Sequence, residues 1–446
     1  MNEPPPEGPL PKHDPLAALR QPNFVFFSSS RLFYAIGATM LQTIMLWQVY
    51  EISGSALNLG LLGIARLIPA LSLSLIGGAV ADSYSRRNIV LVAQTIPLVC
   101  SIILAVSTIG GWISLELIYA LVVMLGVGAS FEGPARAALL PAIVRPETFA
   151  SAVNITQTLG SLAFVTGPAI GGALIAAAGI GSGYAVFTGL SVLSLLMMAF
   201  VRYRPVEAPK RAMSLEAIKE GIRFVRRRQE LLGAMTLDMF AVIFGGVKAL
   251  MPVYAVDVLH VGATGYGVLA GSFEIGAFAA SAVLLMRPPI QRTGQALLWS
   301  VLLFGLLTIV FGLSRNYYLS LFVYMLIGAA DQVSVVMRST TIQLATPDEL
   351  RGRVSAVNQV FIQSSNQLNA VESGFVASLT SAVFAVVSGG FGTLAVVGAI
   401  AWRMPLLRSY RIPRSSIAAE AREGVTPEPD PARPPSTKSS EPAAAG

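Results

Sequence analysis

The 446-residue sequence predicts an all-α membrane protein of twelve transmembrane helices in two six-helix halves. Three observations carry that expectation. The chain is 54% hydrophobic and only 12% charged, where soluble domains carry about 25% charged residues. The apolar residues fall into blocks of the roughly 20 residues that a helix needs to cross a hydrocarbon core about 30 Å thick. The tetrapeptide SAVN occurs at Ser151–Asn154 and again at Ser355–Asn358, each time behind a Pro-acidic pair and at the head of a long apolar block.

The blocks run over 24–50, 57–80, 88–109, 113–135, 150–178, 182–201, 231–256, 264–286, 294–313, 317–341, 355–380 and 382–402. They are too long for barrel strands. In lipid that leaves helices, which satisfy their own backbone N–H and C=O groups. A Pro-rich tail, 1–23, precedes the first block and lacks the basic segment and apolar core of a cleavable signal peptide. The first half spans 24–201 and the second 231–403, with equivalent blocks offset by about 207 residues. Such an offset is the mark of a parallel internal repeat. Between them lies a basic linker, 202–230, with nine Lys or Arg in 202–228. Within it Leu215, Ile218, Ile222 and Val225 share one helical face behind Ser214. This predicts a short amphipathic helix lying along the membrane surface. The last segment, 404–446, is rich in Pro, Ala, Ser, Glu and Arg and predicts a disordered tail.

Twelve crossings put both termini on one side. That side collects the linker, the tail and Lys12, Arg20, Arg86, Arg87, Arg136, Arg145, Arg287, Arg292, Arg338, Arg351 and Arg353, whereas the opposite loops hold Arg315. The positive-inside rule makes it the cytoplasmic side of a cell (inner) membrane. The net charge of +7 then reflects topology and anionic lipids as partners. Nucleic acid is excluded as a partner, because the basic residues are split among separated loops. Cys100 is the single cysteine and can form no internal disulfide. His13 and His260 lie outside the blocks, so no histidine proton relay is expected. No nucleotide-binding loop of the G-x-x-x-x-G-K-[ST] type is present. These absences argue against an ATP-driven pump, a metal and any cofactor. No Ser–His, His-cluster or paired-acid motif points to an enzyme.

Between the second and third blocks stands GGAVADSYSRR. It resembles the loop of the form G-x-L-A-D-R-x-G-R-K/R in the major facilitator superfamily. Gly78, Ala81, Asp82, Arg86 and Arg87 match, while Val80, Ser83 and Ser85 depart from it. The resemblance implies a conformational latch that holds the halves in the outward-facing state, built from Gly78, Asp82, Arg86 and Arg87, with Arg136 as the candidate partner of Asp82. GPAIGG, with Gly167, Pro168, Gly171 and Gly172, resembles the end of that family's antiporter motif, although Asn154 and Ala163 stand where glycines are usual. FEGPARAALLPAIV, SLEAIKEGIRFV and ALMPVYAVDVL are similar to the enterobactin-exporter and macrolide-efflux branch. Many members of the family carry an Arg inside the fourth helix, but LIYALVVMLGVGASFEG has none.

Charges inside apolar blocks are functional candidates by default, since a centred carboxylate costs about 2.5–3.5 kcal/mol on insertion scales. Asp331, Glu274 and Glu372 are the proton-coupling candidates. Tyr34, Gln42, Arg66, Asp238 and Lys248 are the substrate-cavity candidates, with Trp47 equally suited to an interfacial belt. Glu132, four residues before Arg136, is read as a structural pair, and Arg31 as a snorkelling charge.

The resemblance implies a secondary transporter. It is expected to be a monomeric, proton-coupled exporter of a small amphipathic organic molecule such as a drug, macrolide or siderophore. An importer of a small metabolite and a non-transporting membrane receptor are the alternatives.

Overall fold

The computed structural model describes residues 16–203, 215–287 and 290–411. Most of the N-terminal tail, Ser214 and the C-terminal tail beyond Arg411 lie outside them. So do several side chains near the ends of helices, those of Gly78, Ala81, Asp82, Ser83, Leu215 and Ile218 among them.

The fold is helical throughout the described residues. In chain order the helices are α1 Pro22–Ser53, α2 Ala56–Ser83, α3 Arg86–Ile109, α4 Leu115–Ile143, α5 Phe149–Phe200, α6 Leu215–Arg227 and α7 Gln229–Gly245. The remainder are α8 Met251–Val253, α9 Gly262–Met286, α10 Thr293–Leu313, α11 Tyr317–Ala345, α12 Asp348–Leu379, α13 Ala382–Arg403 and α14 Pro405–Ser409. Several starts are capped by side chains. Ser114, Asn316 and Ser381 accept from the backbone N–H of Leu117, Leu319 and Phe384 at 3.3, 3.1 and 3.1 Å, satisfying donors that a helix leaves free.

Among the described residues nine helices are long and apolar enough to cross a membrane, which makes this a multi-pass membrane protein. That number is below the expected twelve, for three local reasons. The fifth and sixth blocks form one helical run, α5, interrupted at Gly179 with φ 78° and ψ 171°. This backbone conformation needs a residue without Cβ. The chain reverses there. Thr39 donates to the Ala163 carbonyl at 2.9 Å, Tyr184 to Gln48 Oε1 at 2.5 Å and Ser194 to the Ser30 carbonyl at 2.8 Å. Moving along α5 therefore climbs α1 and then descends it. The second is α2, which runs from Ala56 to Ser83 but whose described side chains are continuous only over Ala56–Ala70. The third is α12, which carries Asn366, Asn369, Glu372 and Ser373 in its length.

Helices α1 and α5 form the tightest partnership, α2 lies on α4, and α3 bridges α4 and α5. Later in the chain, α9 and α10 flank α11, while α7 contacts α12 and α13. The two series meet where α2 touches α12 and α5 touches α9. At Gly172 an added Cβ would sit 2.3 Å from Gly267 Cα, so these helices touch backbone to backbone, as small residues allow in lipid. Two hydrogen bonds among the described residues cross between the series. Tyr266 donates to the Thr43 carbonyl at 3.0 Å, and Tyr50 donates to Asp257. All these contacts lie toward the end where α1 finishes and α9 begins.

Three expectations need correction. The amphipathic helix α6 rests on the protein through Val225 at its end. Val225 is 2% exposed and packs with Leu231, Met235, Ile342, Val354 and Val357, while Ile222 faces out at 42%. Gly221 lies against the Arg353 backbone, and Glu220 pairs with Arg353. A ready-made apolar groove at the ends of α7, α11 and α12 thus competes with the membrane surface. The tail does not become irregular at 404, because Pro405–Ser409 is helical and Leu407 is fully buried. Arg338 is no loop anchor: it is buried within α11.

Candidate functional site

The second series concentrates its charges around α7, α9 and α11. Helix α7 stops at Gly245, and the chain continues through a 3-10 turn, Lys248–Leu250, then α8, then a π-helical turn, Tyr254–Val258. The break is held from α12. Asn369 Nδ2 donates to the carbonyls of Ile243 and Gly246 at 3.0 and 2.9 Å. Ser373 Oγ adds a longer bond to Gly246 at 3.4 Å. Irregular backbone at membrane depth survives only where protein or a water-filled cavity satisfies it. Lys248 sits in the break and is exposed.

Asp238 on α7 pairs with Arg338 on α11, and both are buried. Asp238 and Asp331 line one narrow cavity with Ala241, Val242, Val301, Phe304 and Ser334, with room for about one water molecule. The Ser334 hydroxyl is buried and has no partner among the described residues. Asp331 senses the charge of Glu274 on α9, and Glu274 senses Lys248. Tyr324, itself buried, feels both carboxylates and packs on Phe273 at 5.3 Å. Asp238 and Asp331 thus share a cavity, and electrostatic interactions extend the polar seam from Asp331 to Glu274 and on to Lys248. Glu372 stands apart on α12, half-buried, accepting from Ser373 Oγ at 3.3 Å.

The first series is arranged differently. Glu132 and Arg136 pair on α4, both buried. Arg136 also lies over the rings of Phe27 and Tyr34, each centroid 5.7 Å away, a favourable cation–π geometry. Arg31 senses both members of the pair. Tyr34 thus serves that cluster. Gln42 is half-buried on α1. Arg66 on α2 is half-buried, and its electrostatic neighbour is Tyr266 of α9. Tyr266 stacks on Trp47 at 5.3 Å, while Trp47 Nε1 donates to Glu51 at 3.1 Å. Arg66, Trp47 and Tyr266 form a wall contributed by both series beneath the closed end.

The motif residues sit away from this seam. Arg86 donates to the Ala138 carbonyl at 2.9 Å and Arg87 to the Ala199 carbonyl at 2.5 Å. They tie the start of α3 to α4 and to the last turn of α5, where the Ala199 carbonyl has no helical partner. Arg136, expected to meet Asp82, has Glu132 as its carboxylate partner. Gly78 and Asp82 lie in α2, and their side chains fall outside the described set. The GPAIGG segment packs on two helices. Gly167 lies against Thr39 and Gly171 against Met40 on α1, while Gly172 faces α9 across Pro168 and Gly267.

Sequence reasoning missed Tyr266, Tyr324, Asn369 and Ser373. Tyrosines in apolar blocks read as core or interface. Asn369 and Ser373 stand one helical turn apart, but nothing in that spacing names the carbonyls they serve. Gly245-Gly246 was the signal for the break they serve.

Comparison with known proteins adds the lineage. Residues 13–423 match the family model described as "Transmembrane secretion effector". Over 370 residues the chain is 25% identical to an enterobactin exporter of Citrobacter koseri, covering 82% of this chain and 86% of that one. A second enterobactin exporter, from Escherichia coli O1:K1 / APEC, is 26% identical over 368 residues, covering 82% and 85%. Among solved structures, a bacterial homologue of the human lysosomal transporter Spinster, inward-facing and occupied, superposes with a TM-score of 0.66 at 14% identity, covering 91% of this chain and 98% of that chain. A POT family transporter in complex with 5-aminolevulinic acid gives 0.68 at 11% identity, covering 86% and 96%. At these identities the structural likeness concerns the fold.

Proposed function

The chain belongs to the transmembrane secretion effector family within the major facilitator superfamily, and we propose that this transporter, which is no enzyme, is a proton-coupled exporter of a small amphipathic organic molecule. The likeness to enterobactin exporters across 82% of the chain carries the reading and favours a siderophore or a drug-like molecule of similar size. Twelve crossings follow if both arms of α5 span and α2 and α12 are added to the remaining apolar helices. Both termini, α6 and the motif arginines then lie in the cytoplasm of a cell whose inner membrane holds the protein. The contacts at Gly172–Gly267, Tyr50–Asp257 and Thr43–Tyr266 close the outer end, so the conformation is inward-facing. Transport alternates by rocking one six-helix half on the other.

The seam supplies the coupling. Asp331 and Glu274 are a carboxylate pair on neighbouring helices, so a proton bound at one relieves repulsion at the other. Lys248 and Asp238–Arg338 set the field around them. Glu372 offers a third carboxylate near the broken helix. Substrate enters between Arg66, Gln42, Trp47 and Tyr266. Proton and substrate favour opposite states, which is the requirement for exchange. In the outward-facing state Asp82, Arg86 and Arg87 latch the cytoplasmic end, a reading supported by the bonds of Arg86 and Arg87, which among the described residues stay within the first series.

The test is a toxicity and secretion panel in an efflux-deficient bacterial host, with macrolides, other lipophilic drugs and iron chelators. Wild type is expected to protect against or secrete one class. Asp331→Asn at equal expression is expected to lose at least tenfold of that transport, about 1.4 kcal/mol. Equal transport by both proteins, or transport indifferent to collapse of the proton gradient, removes the coupling role.

A further inference from the structure

A basic cavity lies outside the pathway, at the end of the second series where α10 begins and α13 finishes. After Met404 the chain forms α14 and turns back beneath α10. Leu407 is fully buried, its backbone lies against Gly294, and the Gly294 N–H donates to the Tyr410 carbonyl at 3.4 Å. Gln229 bolts the joint from α7. Its amide donates to the Arg403 carbonyl and its oxygen accepts from Leu406 N–H, both at 3.1 Å. The fold thus leaves a cavity of about 420 Å³ among Arg292, Gln295, Leu406, Arg408, Tyr410 and Arg411.

Three arginines line this space, and among the described residues no carboxylate does. The carboxylate that Tyr410 senses, Glu230, is engaged by Arg228 at 3.3 Å. Like charges gathered without an anion repel. Guanidinium forks with Tyr and Gln donors match phosphate oxygens in geometry and charge. The surroundings select the kind of phosphate. From Gln295 the same face of α10 continues through Trp299, Leu303, Leu306 and Val310, which are 68%, 48%, 44% and 44% exposed. Trp402, at the end of α13, is 82% exposed. A basic cavity that opens onto an uncovered apolar stripe, with tryptophans near the junction, has the profile of a headgroup above acyl chains.

We propose that this cavity binds the phosphate headgroup of an anionic phospholipid whose acyl chains lie along the Trp299–Val310 face of α10. The bound lipid joins α10 to α14, and its single negative charge offsets part of the repulsion among the three arginines. The site is independent of the transported substrate and of the coupling residues.

The test uses the full-length protein in mild detergent, with bound lipid counted by native mass spectrometry. Phosphatidylglycerol is titrated against phosphatidylcholine. Wild type is expected to retain phosphatidylglycerol selectively. The triple variant Arg292→Gln/Arg408→Gln/Arg411→Gln should weaken retention on the order of 100-fold, and Arg408→Gln alone roughly fivefold. The control Arg223→Gln/Arg226→Gln/Arg227→Gln removes the same charge from α6 and should leave retention unchanged. Phosphatidylglycerol should raise the melting temperature of wild type and of the control, but not of the triple variant. Equal retention by wild type and the triple variant overturns the proposal. So does displacement of the lipid by an equal concentration of inorganic phosphate, which would make the cavity a free-phosphate site.

Discussion

Arg136 and Arg338 occupy comparable places and are neutralised in opposite ways. Each is buried near the end of a 29-residue helix, α4 or α11. On α4 the counter-charge is Glu132, four residues earlier on the same helix. On α11 the residue four earlier is Ser334, and the counter-charge, Asp238, comes from α7. The α4 pair moves as one piece and is indifferent to how helices shift. The α7–α11 pair registers the separation of two helices, beside the cavity that Asp331 shares. The first series has its charges sealed locally, while the second spreads them across a joint. This contrast is what the proposed placement of the coupling chemistry in the second series rests on.

The largest effect is expected from breaking the inter-helix pair. Asp238→Asn leaves Arg338 buried without a carboxylate, which costs about 3–5 kcal/mol and should lower the melting temperature of the purified protein markedly. Adding Arg338→Met should recover much of the loss, since the unpaired charge is gone. An Asp238→Asn protein that melts like wild type would erase the contrast with α4.

A smaller effect is expected at the contact between the two series. Gly172→Val introduces a Cβ where Gly267 leaves no space, costing about 1–3 kcal/mol as overpacking does. It should bias the protein against the conformation described here. Cysteine labelling of the outer cavity, in a Cys100→Ser background, should rise and transport should fall. The smallest effect is expected from Tyr50→Phe, which removes one hydrogen bond worth about 1 kcal/mol. That shifts the opening equilibrium by about fivefold, measured by the same labelling, with folding unaffected.

The spans and the carboxylates inside them were legible because lipid demands long apolar runs and makes every charge within them stand out. Direction around a helix was not. Arg338 reads as a loop anchor when only its distance from a block end is known, and its partner lies 100 residues away in Asp238. Glu132–Arg136 was legible because i,i+4 spacing contains its own geometry. The α6 surface helix failed for a related reason. Val225 finds its partner in an apolar groove elsewhere in the fold, while Ile222 of the same face stays exposed. The tail from Pro405 to Arg411 reads as disordered by composition, although one leucine in it finds a hole to fill.

That leucine sets an order of events during synthesis. Leu407 packs into the apolar cluster of α7, α10, α11 and α13 from beyond the end of α13. The bundle is therefore incomplete while α13 is being inserted and is completed only after the ribosome has passed α14. A chain terminated at Met404 keeps α13 whole and lacks the leucine that fills this apolar hole.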